Sequence, residues 1–138
     1  MIAVIGDPVL HKIAAPVEHG SDCTQQIELL TRELDLATGV GIAANQVGLL
    51  DRIVIIRTDD LVSVVINPQF TVHKASKRKT SIEGCLSIPN QTVKCNRHNR
   101  ITLTGFDSKW NPISKQCRGF TAFVVQHEID HLDGILIK

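Results

Sequence analysis

The sequence predicts a mixed α and β chain, with one helix towards each end and antiparallel strands between them. Three observations carry this reading. Ile27, Leu30, Leu34 and Ala37 follow one another at spacings of three, four and three, which is one apolar face on a helix of about four turns. Residues 52–58 and 61–67 are short, β-branched stretches joined by Asp59-Asp60, the pattern of a hairpin. Phe120, Val124, His127 and His131 return at four, three and four, so two apolar side chains and two imidazoles share one face of a helix over Gly119–Leu132.

In chain order, Asp7-Pro8 and Ala15-Pro16 punctuate an irregular N-terminal segment. Asp22, with Gln25 three residues on, is placed to cap the first helix, and Gly39 to end it. Pro68 is expected to end the second strand of the hairpin. The charged run His73-Lys74-Ala75-Ser76-Lys77-Arg78-Lys79 reads as a solvated loop between strands. Ile101, Leu103 and Gly105-Phe106-Asp107 continue the β pattern, and Asn111-Pro112 marks a turn before the last apolar segment.

The 138 residues are 43% hydrophobic and 21% charged, enough apolar surface for the core of a single domain spanning residues 1–138. A formal charge of +1 argues against a protein whose main task is to coat phosphate backbones. No apolar run approaches the ~20 residues that span a bilayer, and Met1–Ile5 lacks the parts of a signal peptide. A cytoplasmic location is the expectation. Cys23, Cys85, Cys95 and Cys117 do not form a disulfide scaffold in a chain with this much core, and free thiols are expected.

The strongest local signal is His127-Glu128-Ile129-Asp130-His131, an H-E-x-x-H pattern on a helix. Imidazoles at i and i+4 reach one metal ion, with the intervening Glu beside the position left for water. A hydrolytic site needs a third ligand. In a metzincin a third His would stand at Ile137, and a thermolysin-like carboxylate from a later helix has no counterpart after His131. The third ligand therefore lies upstream, among Cys23, Cys85, Cys95, Cys117, His98, Glu83 and Asp107. Context favours Cys85, which follows Gly84 and precedes an extended Leu-Ser-Ile-Pro. The stretch from Gly39 to Gln46 has the spacing of a dinucleotide fingerprint, yet it leaves a helix and runs towards a strand, the reverse of what that fingerprint needs. It is better read as backbone packed close to a site, with Gln46 offering an amide donor.

Three segments in order, Gly39-Val40-Gly41-Ile42-Ala43-Ala44-Asn45-Gln46, Glu83-Gly84-Cys85-Leu86-Ser87 and Gln126-His127-Glu128-Ile129-Asp130-His131, resemble the signature motifs of peptide deformylases, G-x-G-x-A-A-x-Q, E-G-C-L-S and Q-H-E-x-D-H. Each is matched in full, and Gly6-Asp7-Pro8-Val9-Leu10 is similar to the family's N-terminal segment. The resemblance implies an α+β fold in which antiparallel strands pack around a central metal-binding helix, with one N-terminal helix. It implies Cys85, His127 and His131 as ligands to one divalent ion, Fe2+ as the physiological occupant and Zn2+, Ni2+ or Co2+ as alternatives. It implies removal of the formyl group from the formylmethionine of nascent polypeptides, with Glu128 moving protons and the Gln46 amide and Leu86 N–H donating to the oxyanion. Val40, Phe123 and Val124 would line the methionine pocket, Gly41 and the Leu86 region would bind the peptide as an added strand, and Arg97 would lie near the substrate path.

Many family members continue into a further C-terminal helix that contacts the ribosome, whereas seven residues follow His131 here, which resembles the short forms carried by bacteriophages. Lys74, Lys77, Arg78 and Lys79 are then the alternative ribosome contact, and a monomer is expected. Two competing readings are a zinc endopeptidase, motivated by H-E-x-x-H alone, and a structural metal module, which would need neither Glu128 nor Gln46.

Overall fold

The computed structural model describes residues 1–137. The helix expected near the N-terminus is α1, Thr24–Ala37, and its start and stop differ in detail from expectation. Cys23 stands at the cap position, while the Asp22 carboxylate accepts from the Thr24 N–H at 3.0 Å and the Thr24 hydroxyl at 2.6 Å. The left-handed residue that closes the helix is Thr38, φ 52°, not Gly39.

Seven strands follow: β1 Gly41–Ala43, β2 Ile53–Arg57, β3 Val62–Val72, β4 Arg78–Cys85, β5 Ile88–His98, β6 Arg100–Phe106 and β7 Pro112–Arg118. They make an antiparallel five-stranded sheet in the order β1-β2-β3-β6-β7 and a separate two-stranded sheet, β4-β5. The β2-β3 hairpin is as expected, but β3 runs on through Pro68 to Val72. Its register against β6 shifts between Ile66 and Gln69, and Asn67 sits there at φ 53°. A bulge is one of the few strand positions where a residue without an N–H is tolerated. Asn67 also uses the kink, accepting from the Val17 N–H at 2.8 Å and donating to the Val17 carbonyl at 2.9 Å, which fastens the N-terminal segment.

Pro112 opens β7 instead of ending the pattern at a turn, and Arg78 and Lys79 belong to β4 while His73, Lys74 and Lys77 lie in the loop before it. The last helix, α2, spans Gly119–Leu132 as expected.

The continuous apolar run Ile53-Val54-Ile55-Ile56 is explained by cover on both faces of the sheet. Val54, Ile56 and Val65 pack with Ala122, Val125, Ile129 and Leu132 of α2, and Ile53, Ile55 and Ile66 pack with Leu30 and Leu34 of α1. From Thr121 to Leu132, α2 is buried except at Phe123 and Asp130, which are half-buried. The fold is therefore α+β, with the second helix at its centre. Among the described residues, no helix is long and apolar enough to cross a membrane.

Candidate metal centre and cleft

The buried face of α2 presents both imidazoles of its H-E-x-x-H turn, with the His127 Nε2 and His131 Nε2 3.2 Å apart. The Cys85 Sγ lies 3.2 Å from His131 Nε2, and one ligand atom from each of the three residues falls within 4.8 Å of the others. Of the upstream candidates that spacing left open, Cys85 is the one that joins the two imidazoles in this cluster. Cys23 and Cys117 are buried in the core, Cys95 is half-buried on β5, and neither His98 nor Asp107 joins the cluster.

The thiol arrives at the tip of the β4-β5 hairpin, where Cys85 pairs with Ile88 across the tight turn Leu86-Ser87. Two ties hold that hairpin against α2. Gln126 accepts from the His98 N–H at 3.0 Å and donates to the His98 carbonyl at 2.7 Å. Arg97 donates from Nε and Nη2 to the Glu83 carboxylate, at 2.9 and 2.8 Å, and from Nη1 to Asp130 at 2.5 Å. Glu83 then accepts from His127 Nδ1 at 2.8 Å, so in the neutral ring it is Nε2, turned towards Cys85 and His131, that carries the lone pair.

The electrostatics follow from this arrangement. Burial alone would raise the Glu83 carboxyl, but His127 and Arg97 hold it well below the usual carboxylate range. Burial would lower the metal-free His127 imidazole, yet its bonds to Cys85 and Glu83 raise it to about 10. His131, buried beside that charge, is pushed down to about 3. The Glu128 carboxyl is pushed up to about 7 by burial. Its Oε1 is buried with no hydrogen-bond partner among the described residues.

A soft thiolate and two imidazoles converging on one point, with the outer nitrogen of one ring fixed by a carboxylate, are a donor set for a divalent transition metal. The residues fit such an ion. Cys85 and His127 line one side of a cavity of about 560 Å³. Val40, Gly41, Phe123, Val124 and Leu86 line it, together with Gln46 and Glu128. Phe120, expected on the ligand-bearing face, is 60% exposed at the cavity rim. Arg97, expected near the substrate path, is not among the residues that line the cavity: its guanidinium is bonded to Glu83 and Asp130.

Sequence reasoning named Glu83 only as a possible ligand and gave Gln126 and Asp130 no task beyond the motif. Their contacts cross from helix to hairpin, and no spacing within one segment announces them.

Gln46 is fully buried in the 3-10 turn Ala44–Val47 that follows β1. Its Oε1 accepts from the Ala43 N–H at 3.0 Å, which leaves Nε2 facing the Ser87 hydroxyl at 3.2 Å and the Cys85 sulfur at 3.8 Å. Beside it, a β-carbon on Gly41 would stand 2.7 Å from Glu128 Oε2 and 3.1 Å from Val124, so only glycine lets β1 lie this close to the helix.

The family model for polypeptide deformylase matches residues 1–138. The peptide deformylase of Halothermothrix orenii is 38% identical over 138 residues, covering 98% of this chain and 88% of the relative. Among solved structures, PDF from the Vibrio parahaemolyticus bacteriophage VP16T, in complex with actinonin, superposes with a TM-score of 0.94 at 43% identity, covering 99% of this chain and 98% of the other. The peptide deformylase of Thermotoga maritima gives 0.90 at 34% identity, with 99% and 92% covered. With all three motifs gathered around one cavity and this match over its whole length, the chain belongs to the peptide deformylase family.

Proposed function

We propose that Cys85 Sγ, His127 Nε2 and His131 Nε2 hold the one divalent ion on which removal of the N-formyl group from nascent polypeptides depends. The carrying observation is the convergence of these three atoms at the cavity that Cys85, His127 and Glu128 line. Fe2+ is the physiological occupant in this reading, and Zn2+, Ni2+ or Co2+ suit the same donors. When bound, the ion supplies Lewis acidity, making water at the open position a nucleophile near neutral pH and polarising the formyl oxygen.

Glu128 supplies the proton traffic. A carboxyl that titrates near neutrality can take a proton from the attacking water and return it to the departing amine nitrogen, a role typically worth ~10²–10⁴ in rate. The Gln46 Nε2 and the Leu86 N–H donate to the oxygen that gains charge as the formyl carbon becomes tetrahedral. Val40, Phe123 and Val124 enclose the methionine side chain. The peptide lies along β1, an edge strand of the five-stranded sheet, and is bound there through Gly41 and the Leu86 turn. Arg97 enters through Glu83 and Asp130 rather than through the peptide.

The test is turnover of formyl-Met-Ala by protein loaded anaerobically with each metal in turn. Formate release that a chelator abolishes is expected. Glu128→Ala should keep one metal per chain and lose activity by at least about 10²-fold; wild-type turnover in that variant would overturn the role.

The enzyme acts in the cytoplasm, on chains leaving the ribosome. Between residues 73 and 100, seven Lys and Arg face the single acid Glu83, a net +6 against −5 for the rest of a chain whose total is +1. Lys74, Lys77, Arg78 and Lys79 are exposed on that segment and form the ribosome contact. Neutralising Lys77, Arg78 and Lys79 should weaken ribosome co-sedimentation at low salt; unchanged co-sedimentation would refute the contact.

A further inference from the structure

We infer that Ser87 is a positioning residue for the reaction, acting through the Gln46 amide; this rests on the donor role proposed for Gln46. Both side chains are shut away from solvent, Ser87 at 0% and Gln46 at 1% exposure. A primary amide has two hydrogens on nitrogen and an oxygen that only accepts, so its function as a donor depends on which way round it is held. Here the Ala43 N–H at 3.0 Å from Oε1 fixes the oxygen end. The nitrogen end is fixed by Ser87, whose Oγ must accept at 3.2 Å because an amide NH₂ offers nothing to receive a proton. With one hydrogen committed to Ser87, the other is left on the side of the Cys85 sulfur, 3.8 Å from Nε2, which is the side of the reacting centre.

Backbone contacts reinforce the arrangement. The Gln46 carbonyl accepts from the Ala3 N–H at 2.6 Å, and the Ser87 carbonyl accepts from the Ile5 N–H at 2.8 Å. Residues 3–5 thus bridge the two segments whose side chains meet, and the separation between Ser87 and the amide is set by main chain as well as by the hydroxyl. Ser87 also belongs to the turn that carries Cys85 and Leu86, so one tight hairpin end places the thiol, a backbone N–H and the acceptor that orients the amide.

The experiment compares kcat and KM on formyl-Met-Ala for metal-loaded wild type, Ser87→Ala, Gln46→Ala and the double variant, with metal content and Tm measured on each. Removing an oxyanion donor costs about 10²–10³ in kcat, which is expected for Gln46→Ala. A donor left in place but misdirected should cost about ten- to a hundredfold, so Ser87→Ala is expected to lower kcat by that much with KM and metal content unchanged. The double variant should be no slower than Gln46→Ala, because Ser87 has nothing left to orient. Wild-type kcat in Ser87→Ala with a lowered Tm, or a double variant whose loss is the product of the two single losses, would overturn the inference. Wild-type kcat in Gln46→Ala would instead overturn the donor role itself. Should alanine unfold the turn, Ser87→Cys keeps the volume, offers only a weak acceptor and carries the same comparison.

Discussion

At Gly41, the absence of a side chain decides where the Glu128 carboxylate can stand. A methyl group there would meet Glu128 Oε2 at 2.7 Å and the Glu128 Cγ and Val124 Cγ1 at 3.1 Å, so either the strand or the glutamate must move. Gly41→Ala is expected to cost about 1–3 kcal/mol in stability by overpacking and to lower kcat by up to about 10²-fold through displacement of Glu128. Urea unfolding and steady-state kinetics would separate the two losses. Glu83 makes the complementary case, because its bond to His127 Nδ1 sets which nitrogen of that ring faces Cys85 and His131. Glu83→Gln should weaken metal affinity about 10- to 100-fold, measured by competition with a chromophoric chelator. The histidines and Glu128 were legible from sequence because i, i+4 spacing on a helix is local geometry. Glu83 was legible only as an acid near a cysteine, since its partners sit on another strand and on the helix.

The two-stranded sheet and α2 meet chiefly through polar side chains, which is how a thiol from one element is registered against imidazoles from another. Gln126 substitutes for a neighbouring strand, satisfying both the N–H and the carbonyl of His98. Gln126→Leu would leave both groups unsatisfied and is expected to destabilise the protein by about 2–4 kcal/mol, with faster amide exchange at the base of β4-β5 than in β2. Uniform exchange in that variant would show that the hairpin is held elsewhere. The outer elements were legible to very different degrees. Both helices announce themselves by apolar periodicity, and the β2-β3 hairpin by β-branched runs around two aspartates. By contrast β7, reading Pro-Ile-Ser-Lys-Gln-Cys-Arg, has only Ile113 and Cys117 as apolar residues, and Pro68 hides a strand that continues because its missing donor falls at a bulge.

For the molecule as a whole, a bound ion would join residue 85 to residues 127 and 131, cross-linking the separate hairpin to the helix at the centre of the fold. At free metal a thousandfold above Kd this adds about 4 kcal/mol to stability. Chelation is then expected to lower Tm by about 10–20 °C, followed by calorimetry with and without added metal. An unchanged Tm would mean that the three side chains hold no ion in solution. Helices on both faces of the main sheet follow from its doubly apolar strands, whereas the division into two sheets does not: in β4 the polar Ser81 and Glu83 are buried and Ile82 is exposed, a pattern that apolar alternation does not announce. Chain order makes that division matter for time as well as for shape. β3 and β6 are neighbours in the sheet, yet residues 73–99 intervene and fold back on themselves as β4-β5. A hairpin of near neighbours closes in about 1–10 μs, while β3-β6 pairing must first close the longer loop around it. On loop-closure grounds the turn that carries Cys85 is expected to form before the sheet offers a bed to the last helix, so an ion held by all three side chains would be taken up only at the end of folding.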